Sequence, residues 1–211
     1  MKILALETSA KAVSAAVSED GKILCSGYQD TGLTVSDMDA VAVAAGPGSF
    51  TGIRIGVSAA KGLAFAAEKP AVGVSTLAAM ARNVAWLDGL VICAMDARRQ
   101  QVYNALFQAE NGTLTRLTPD RAISLGDLAA EIKGDHRPKI IVGDGARLCY
   151  NALSERGISC RMAPPHLVMQ SAVSVALEAE ALAKDGHLAT AQDLQPVYLR
   201  PAQAQRLRDR V

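Results

Sequence analysis

Four short turns carry the side chains that could do chemistry in this chain. Glu7-Thr8-Ser9 and Asp96-Ala97-Arg98-Arg99 each follow an apolar run, and Gly46-Pro47-Gly48-Ser49 and Gly143-Asp144-Gly145 each lead from one into a tight turn. An acid at a strand end, with hydroxyls or glycines beside it, is the pattern that holds phosphates through backbone N–H groups while the carboxylate positions a metal. Glu7, Thr8 and Ser9 retain enough of it to cradle a phosphate weakly. The turn at Asp96 has neither glycine nor hydroxyl, so close backbone approach to phosphate is disfavoured there. Its arginines could pair with an anion by charge, although a solvated hairpin tip is the commoner meaning of such a run.

Nucleophilic and metal chemistry find less support. His136, His166 and His187 are scattered, with no His-x-x-x-His pair for one helix face. Neither Ser9 nor Ser49 has a His and an acid in a nucleophile arrangement. Cys25, Cys93, Cys149 and Cys160 are single and far apart, which argues for a reduced, cytoplasmic chain without a disulfide framework or zinc site. Cys93 and Cys149 read as core. No catalytic residue and no metal ligand is assigned.

The elements that must position these turns follow from the apolar pattern. Three strands in meander, over residues 2–6, 12–18 and 22–28, open the chain, with an Asp20-Gly21 hairpin signal between the last two. The same grammar returns over residues 91–106. Placing Asp96 on Glu7 puts Ile92 on Ile3, Ala94 on Ala5, Val102 on Val13 and Ala105 on Ala16. The chain therefore reads as two related halves, a first lobe over residues 1–88 and a second over 89–211. Residues 39–43 form a buried-type strand, and residues 51–67 a helix rich in small residues, capped by Ser49 or Thr51. That helix start either packs as a corner or offers N–H groups to an anion or a partner.

On the same helix Gly52, Gly56 and Ala60 recur every four residues, with Ala59 beside them on one face. A mid-helix glycine costs about 1 kcal/mol against alanine, so two on one face predict a close neighbour. The neighbour is either this protein's own sheet or a helix of a second subunit. Beyond it, the pattern predicts a strand over 71–74, helices over 76–86, 124–133 and 171–184, and a strand over 139–142. Alternating strands and helices indicate a two-lobe α/β fold with its ligand end where the glycine turns gather.

Composition narrows the function classes. With 50% hydrophobic and 20% charged residues in 211, the chain is a folded domain or pair of domains rather than a disordered one. A formal net charge of +1 supplies no global field toward nucleic acid or membrane. An aromatic content of 4% argues against a stacking platform for single-stranded nucleic acid. The apolar runs are too short to span a bilayer, and Glu7 ends the first one before it could serve as a signal peptide.

Four stretches resemble the TsaB (YeaZ) family: Ile3-Leu4-Ala5-Leu6-Glu7-Thr8-Ser9, the run from Gly46 through Phe50, Thr51 and Arg54 to Gly56, Met95-Asp96-Ala97-Arg98-Arg99-Gln100-Gln101-Val102-Tyr103, and Pro196-Val197-Tyr198-Leu199-Arg200. The resemblance implies the duplicated actin-like (ribonuclease H-like) fold with mixed sheets, in its glycoprotease-like branch. It also implies an accessory subunit, without chemistry of its own, supporting a TsaD-like enzyme. The product would be N6-threonylcarbamoyladenosine at position 37 of tRNAs reading codons that start with A. The expected partners are a TsaD-like subunit and a TsaE-like ATPase, with a homodimer as the form alone, tRNA met only indirectly and no membrane. No cofactor is expected to bind tightly, with ATP or ADP and Mg placed at the partner interface. Gly52, Gly56, Ala59 and Ala60 become interface residues, and Glu7, Thr8, Ser9 and Asp96 a vestigial phosphate site.

The alternatives are a weak actin-like ATPase using Glu7 and Asp96, and a peptidase acting on TsaD, against which the absence of a metal pair or nucleophile speaks. A direct tRNA contact through Arg200, Arg206, Arg208 and Arg210 is a weaker expectation. Two departures from the family stand out. Glu7 replaces the usual Asp, and only Gln29-Asp30-Thr31-Gly32 stands where relatives carry a helix of roughly two dozen residues. A strand crossing of this kind normally takes a dozen or more residues, so a helical segment is expected to be absent between Tyr28 and Leu33.

Overall fold

The computed structural model describes residues 1–9, 14–26 and 33–200. Its frame is a pair of sheets laid out in the same way. The first contains β1 (Lys2–Glu7), β2 (Ser14–Glu19), β3 (Lys22–Ser26), β4 (Ala40–Gly46) and β5 (Ala71–Ser75), in the order β3-β2-β1-β4-β5. The second contains β6 (Gly89–Asp96), β7 (Gln101–Glu110), β8 (Thr113–Arg116), β9 (Arg121–Ser124), β10 (Lys139–Val142) and β11 (Arg161–Met162), in the order β8-β7-β6-β10-β11, with β9 also paired to β7. In each, an antiparallel meander is followed by two parallel strands. This repeated order is the duplicated actin-like fold that the resemblance implies.

The duplication slips by one residue at the bends. Glu7 pairs with Ser14, whereas Asp96 pairs with Val102. The fixed offset therefore holds through the acid and fails after it: Ala5 faces Ala16, but its counterpart Ala94 faces Asn104. Asn104, not Ala105, is the equivalent of Ala16, and Val13 lies outside the described residues. A one-residue slip ordinarily turns a strand inside out; here the shorter second bend absorbs it.

Among the described residues five α-helices cover the sheets: α1 (Phe50–Ala66), α2 (Thr76–Arg82), α3 (Leu125–Ile132), α4 (Ala146–Ser154) and α5 (Ala172–Lys184). Strand β4 is buried along its whole length, so its two faces show how the layers are assigned. Ala40, Ala42 and Ala44 pack with Val175, Ala176 and Ala179 of α5, while Val41 and Val43 pack with Ile53, Val57 and Ala60 of α1. Small residues on both α5 and the strand let helix and sheet approach closely. Helix α2 lies between the halves, placing Leu77, Met80 and Ala81 against Val91, Cys93 and Phe107 of the second sheet. The second sheet's other face is closed by α3 and α4 through Leu128, Ile132, Cys149 and Leu153.

Helix α2 is shorter than the periodicity predicts. Asn83 caps it and donates from Nδ2 to the carbonyls of Leu167 and Met169, turning the chain away before Trp86. The strands divide at Asp88, but the chain does not: α5 returns to the first sheet, Ala189 bridges Ala71, and Ala191 and Leu194 join the core under α1. The first lobe is thus completed by residues from the last forty or so of the chain, which nothing local in them announces. The crossing from β3, at the sheet edge, to β4, beyond β1, occupies residues 27–39. The segment expected to be absent falls on residues 27–32, outside the described residues. Among the described residues no helix is long and apolar enough to cross a membrane.

Candidate functional site

The first bend is built against the start of α1. Ser49 caps the helix by accepting from Gly52 N–H, as its residue type predicts, and its own N–H donates to Ser9 O at 2.7 Å. Thr8 Oγ1 donates to Gly52 O at 2.8 Å. A Cβ on Gly52 would stand 2.1 Å from Thr8 O, one on Gly56 2.1 Å from Thr8 Oγ1, and one on Gly48 2.6 Å from Ser9 O. The glycines exist because the chain's own hairpin lies on them. Of the expected interface residues, Gly56 and Ala60 face inward, Ala60 with no exposure, Gly52 is half-buried under Thr8, and Ala59 is exposed. The period of four marks a close-packed face, and the hairpin reaches it first.

Within the bend, Glu7 is buried and its Oε1 accepts from Ser9 N–H, while Oε2 and the Ser9 hydroxyl have no partner among the described residues. Burial pushes the Glu7 carboxyl above the ordinary range, opposed by the polar groups of Ser9 beside it. The sign follows directly. The neutral acid is favoured in the folded chain, so this group's stabilising share is complete below the ordinary carboxylate range and is lost as pH rises through its raised value. Glu7→Gln keeps the acceptor for Ser9 N–H. It is expected to stabilise the chain near neutral pH by about 1 kcal/mol and to lose that advantage near pH 4, roughly where a carboxyl is protonated in both states. Urea unfolding at the two pH values checks this; equal effects of the substitution at both would sink it.

The second bend is held differently. Asp96 Oδ1 accepts from Arg98 N–H at 2.7 Å, and Oδ2 pairs with the Arg98 guanidinium at 3.4 Å. Arg98, Arg99 and Gln100 all sit in the left-handed region, with φ of 65, 56 and 57°, a conformation costing non-glycine residues about 1–2 kcal/mol each. Gly143 and Gly145 press against the end of β6: added Cβ atoms would lie 2.2 Å from Ala94 O and 2.8 Å from Asp96 N. Asp144 therefore stands beside Asp96. Partial desolvation pushes its carboxyl up, the Gln170 amide opposes this, and the Asp96 charge adds to it.

A strap ties the two bends together. Val197 N–H donates to Ala45 O at 2.7 Å, and Gly46, at φ 129°, leaves room for Val197 O. Tyr198 stacks on Phe50 with ring centroids 5.0 Å apart and accepts from Arg54 Nε at 2.9 Å. Arg200 then donates to Ala97 O at 2.8 Å. Sequence reasoning took Arg200 for part of a basic tail, whereas the structure engages it between the lobes. Arg206, Arg208 and Arg210 lie outside the described residues.

The four turns thus gather at the carboxyl ends of the strands, with Glu7, Thr8 and Ser9 in one lobe and Asp96 in the other. Their backbone groups are largely committed: to Ser9 O, to the Ser49 cap, to each bend's own carboxylate and to the strap. His136, His166 and His187 are all exposed. Burial drives the Cys93 thiol far up and the Cys149 thiol to about 12, so both are core groups. Among the described residues no three His, Cys, Asp or Glu side chains converge to hold a metal.

The outward face of α1 is the feature that sequence reasoning missed. Ile55 is 62% and Phe65 66% exposed, with exposed Ser58, Ala59, Gly62 and Ala66 between and beside them. A Cβ on Gly62 would meet nothing within 4 Å. The signal was in the sequence, because Ile55, Ala59, Gly62 and Ala66 also share a face by three-and-four spacing; the glycines at 52 and 56 drew attention to the opposite side.

Fold and site together define a duplicated actin-like protein whose bends are packed on their own chain and whose first helix is bare on one face. The family model for TsaD, tRNA N6-adenosine threonylcarbamoyltransferase, matches residues 23–194. A relative from Bacillus subtilis, named tRNA threonylcarbamoyladenosine biosynthesis protein TsaB, is 35% identical over 83% of this chain and 76% of its own length. One of the same name from Escherichia coli is 31% identical over 95% of each chain. A solved structure of YeaZ from Pseudomonas aeruginosa superposes with a TM-score of 0.80 at 26% identity, covering 94% of this chain and 99% of that one. The chain belongs to the TsaB family.

Proposed function

We propose that this chain is an accessory subunit of tRNA threonylcarbamoyladenosine synthesis, without catalysis of its own, that docks a TsaD-like subunit through the outward face of α1. The observation that carries this reading is Gly62. A mid-helix glycine with open space around it costs the isolated chain about 1 kcal/mol, and a helix of a second subunit approaching between Ile55 and Phe65 offsets that cost. Small residues flanked by large apolar ones are what close helix packing uses. The same face serves a second copy when the partner is absent. A TsaE-like ATPase joins the assembled complex, and ATP or ADP with Mg is held at the subunit interface rather than by this chain alone. The committed backbone groups of both bends, the Asp96–Arg98 ion pair and the scattered histidines support an accessory role over an ATPase or a peptidase.

The test separates folding from docking at one residue. Gly62→Ala is expected to stabilise the isolated chain by about 0.5–1 kcal/mol, since alanine is the better helix former. Gly62→Arg is expected to leave the chain folded and to weaken a one-to-one complex with the TsaD-like subunit at least about a hundredfold, roughly 3 kcal/mol. Light scattering after size exclusion, on the chain alone and mixed with that subunit, with and without ATP, reads the result. Full complex formation by both Gly62→Arg and Ile55→Asp would overturn the docking face.

A further inference from the structure

At the end of the second sheet away from the bends, the loops entering β10 and β11 enclose a cleft of about 600 Å³. Its lining brings together Lys133, Arg137, Lys139, Arg156 and Arg161 against a single carboxylate, Asp135. The chain's formal net charge is +1, so this edge holds a local excess well beyond the whole molecule's. Among the described residues only Arg137 of these cations is ion-paired: it binds Asp135 and also donates to Gln108 Oε1. That pairing holds the Asp135 carboxyl down to about 2, so the one acid stays charged and the excess is not an artefact of a protonated neighbour.

The other cations form no ion pair among the described residues, although Lys139 lies near enough to Asp135 to help hold its carboxyl down. Lys139 is 8% exposed, and its ammonium donates only to the backbone carbonyls of Asp135 and Arg137. Arg156 donates one Nη to Ala152 O, closing the end of α4, and leaves the rest of its guanidinium open. Lys133 and Arg161 are exposed and unpaired. Like charges crowded at one concavity repel, and a near-buried ammonium that shares its one nearby carboxylate with Arg137 is costly. An anion entering the cleft relieves both.

The kind of anion follows from what the lining lacks. Its lining carries no Phe, Tyr or Trp on which a base could stack and only the single imidazole of His136, and it faces no glycine-rich loop before a helix that would wrap a terminal phosphate. Four separated cations on two loops suit successive phosphodiesters instead. We propose that this cleft is a contact site for the phosphate backbone of RNA, used without base readout, which places tRNA directly on this chain's second lobe. The choice of RNA among polyanions rests on the role in tRNA modification proposed above; the cleft itself does not.

The experiment is a titration of a labelled RNA hairpin of about 17 nucleotides with the full chain, read by fluorescence anisotropy from about 50 to about 200 mM salt. Lys133→Gln/Arg161→Gln changes exposed, unpaired side chains and is expected to keep the wild-type melting temperature. Its affinity for RNA should fall about tenfold, with the salt slope reduced by about 1.5 to 2. Ile55→Asp, on the opposite lobe, should bind RNA as the wild type does. No RNA binding by the wild type at the lowest salt, or an unchanged slope in the double variant, overturns the proposal. So does displacement of the RNA by ATP or inorganic phosphate at equal concentration, which would mark a free-anion site. Because the titration needs no partner subunit, a chain that fails to bind the TsaD-like subunit yet shows the cleft-dependent slope would sink the docking reading alone.

Discussion

Gly52→Ala is expected to destabilise the chain by about 2–3 kcal/mol, lowering the melting temperature by roughly 5–10 °C. One methyl group normally helps a helix by about 1 kcal/mol at such a position, so the sign itself is diagnostic. Here the new Cβ would stand 2.1 Å from the carbonyl oxygen of Thr8 and 3.3 Å from its carbon. Backbone cannot rotate out of the way as a side chain can. The first bend would have to lift from α1, straining the Ser49 N–H bond to Ser9 O and the Thr8 Oγ1 bond to Gly52 O. Gly56→Ala should cost less, because the atom it meets is the Thr8 hydroxyl, which can turn at the loss of that one bond. Gly62→Ala should run the other way. Three alanine substitutions along one helix are thus ordered by what lies above each, and thermal unfolding of the three reads the order. A stabilising Gly52→Ala would mean that the hairpin does not lie on α1.

Glu180→Ala is expected to cost about 3 kcal/mol or more. Glu180 is 3% exposed on α5, and its two carboxylate oxygens accept from the Ser18 hydroxyl and from Gly21 N–H at the far hairpin of the first sheet. Truncation leaves a fully buried hydroxyl and a turn amide without acceptors, and opens a cavity under the β2–β3 hairpin. It also detaches α5, which belongs by sequence to the second half, from the sheet it covers. Glu180→Gln supplies one acceptor and turns donors toward the other group, so it should recover only part of the loss. Urea unfolding gives the stability change, and amide exchange in β2 and β3 shows where it falls. A loss spread evenly over both sheets, with no extra exchange in that hairpin, would contradict the clamp.

The sequence by itself determined what depends on neighbours in the chain. The acid-ended hairpins, the strand into Gly46-Pro47-Gly48, and a hydroxyl cap at Ser49 or Thr51 were all legible, because strand period, turn chemistry and capping act over a few residues. So was the close-packed face of Gly52, Gly56 and Ala60. What covers that face was not legible, since a small-residue stripe fits a hairpin and a foreign helix equally well. The tertiary structure decided it by laying Thr8 there, which leaves Gly62 and its neighbours as the bare side. It also decided that α5 and the strap at Val197 to Arg200 return to the first lobe, through bonds to Ser18, Gly21 and Ala45 that span most of the chain. The cation cleft is of the same kind: residues 133–139 and 156–161 meet only because β10 and β11 are parallel neighbours. Local propensity writes the elements, whereas the choice among equally good faces is made by the burial they gain together.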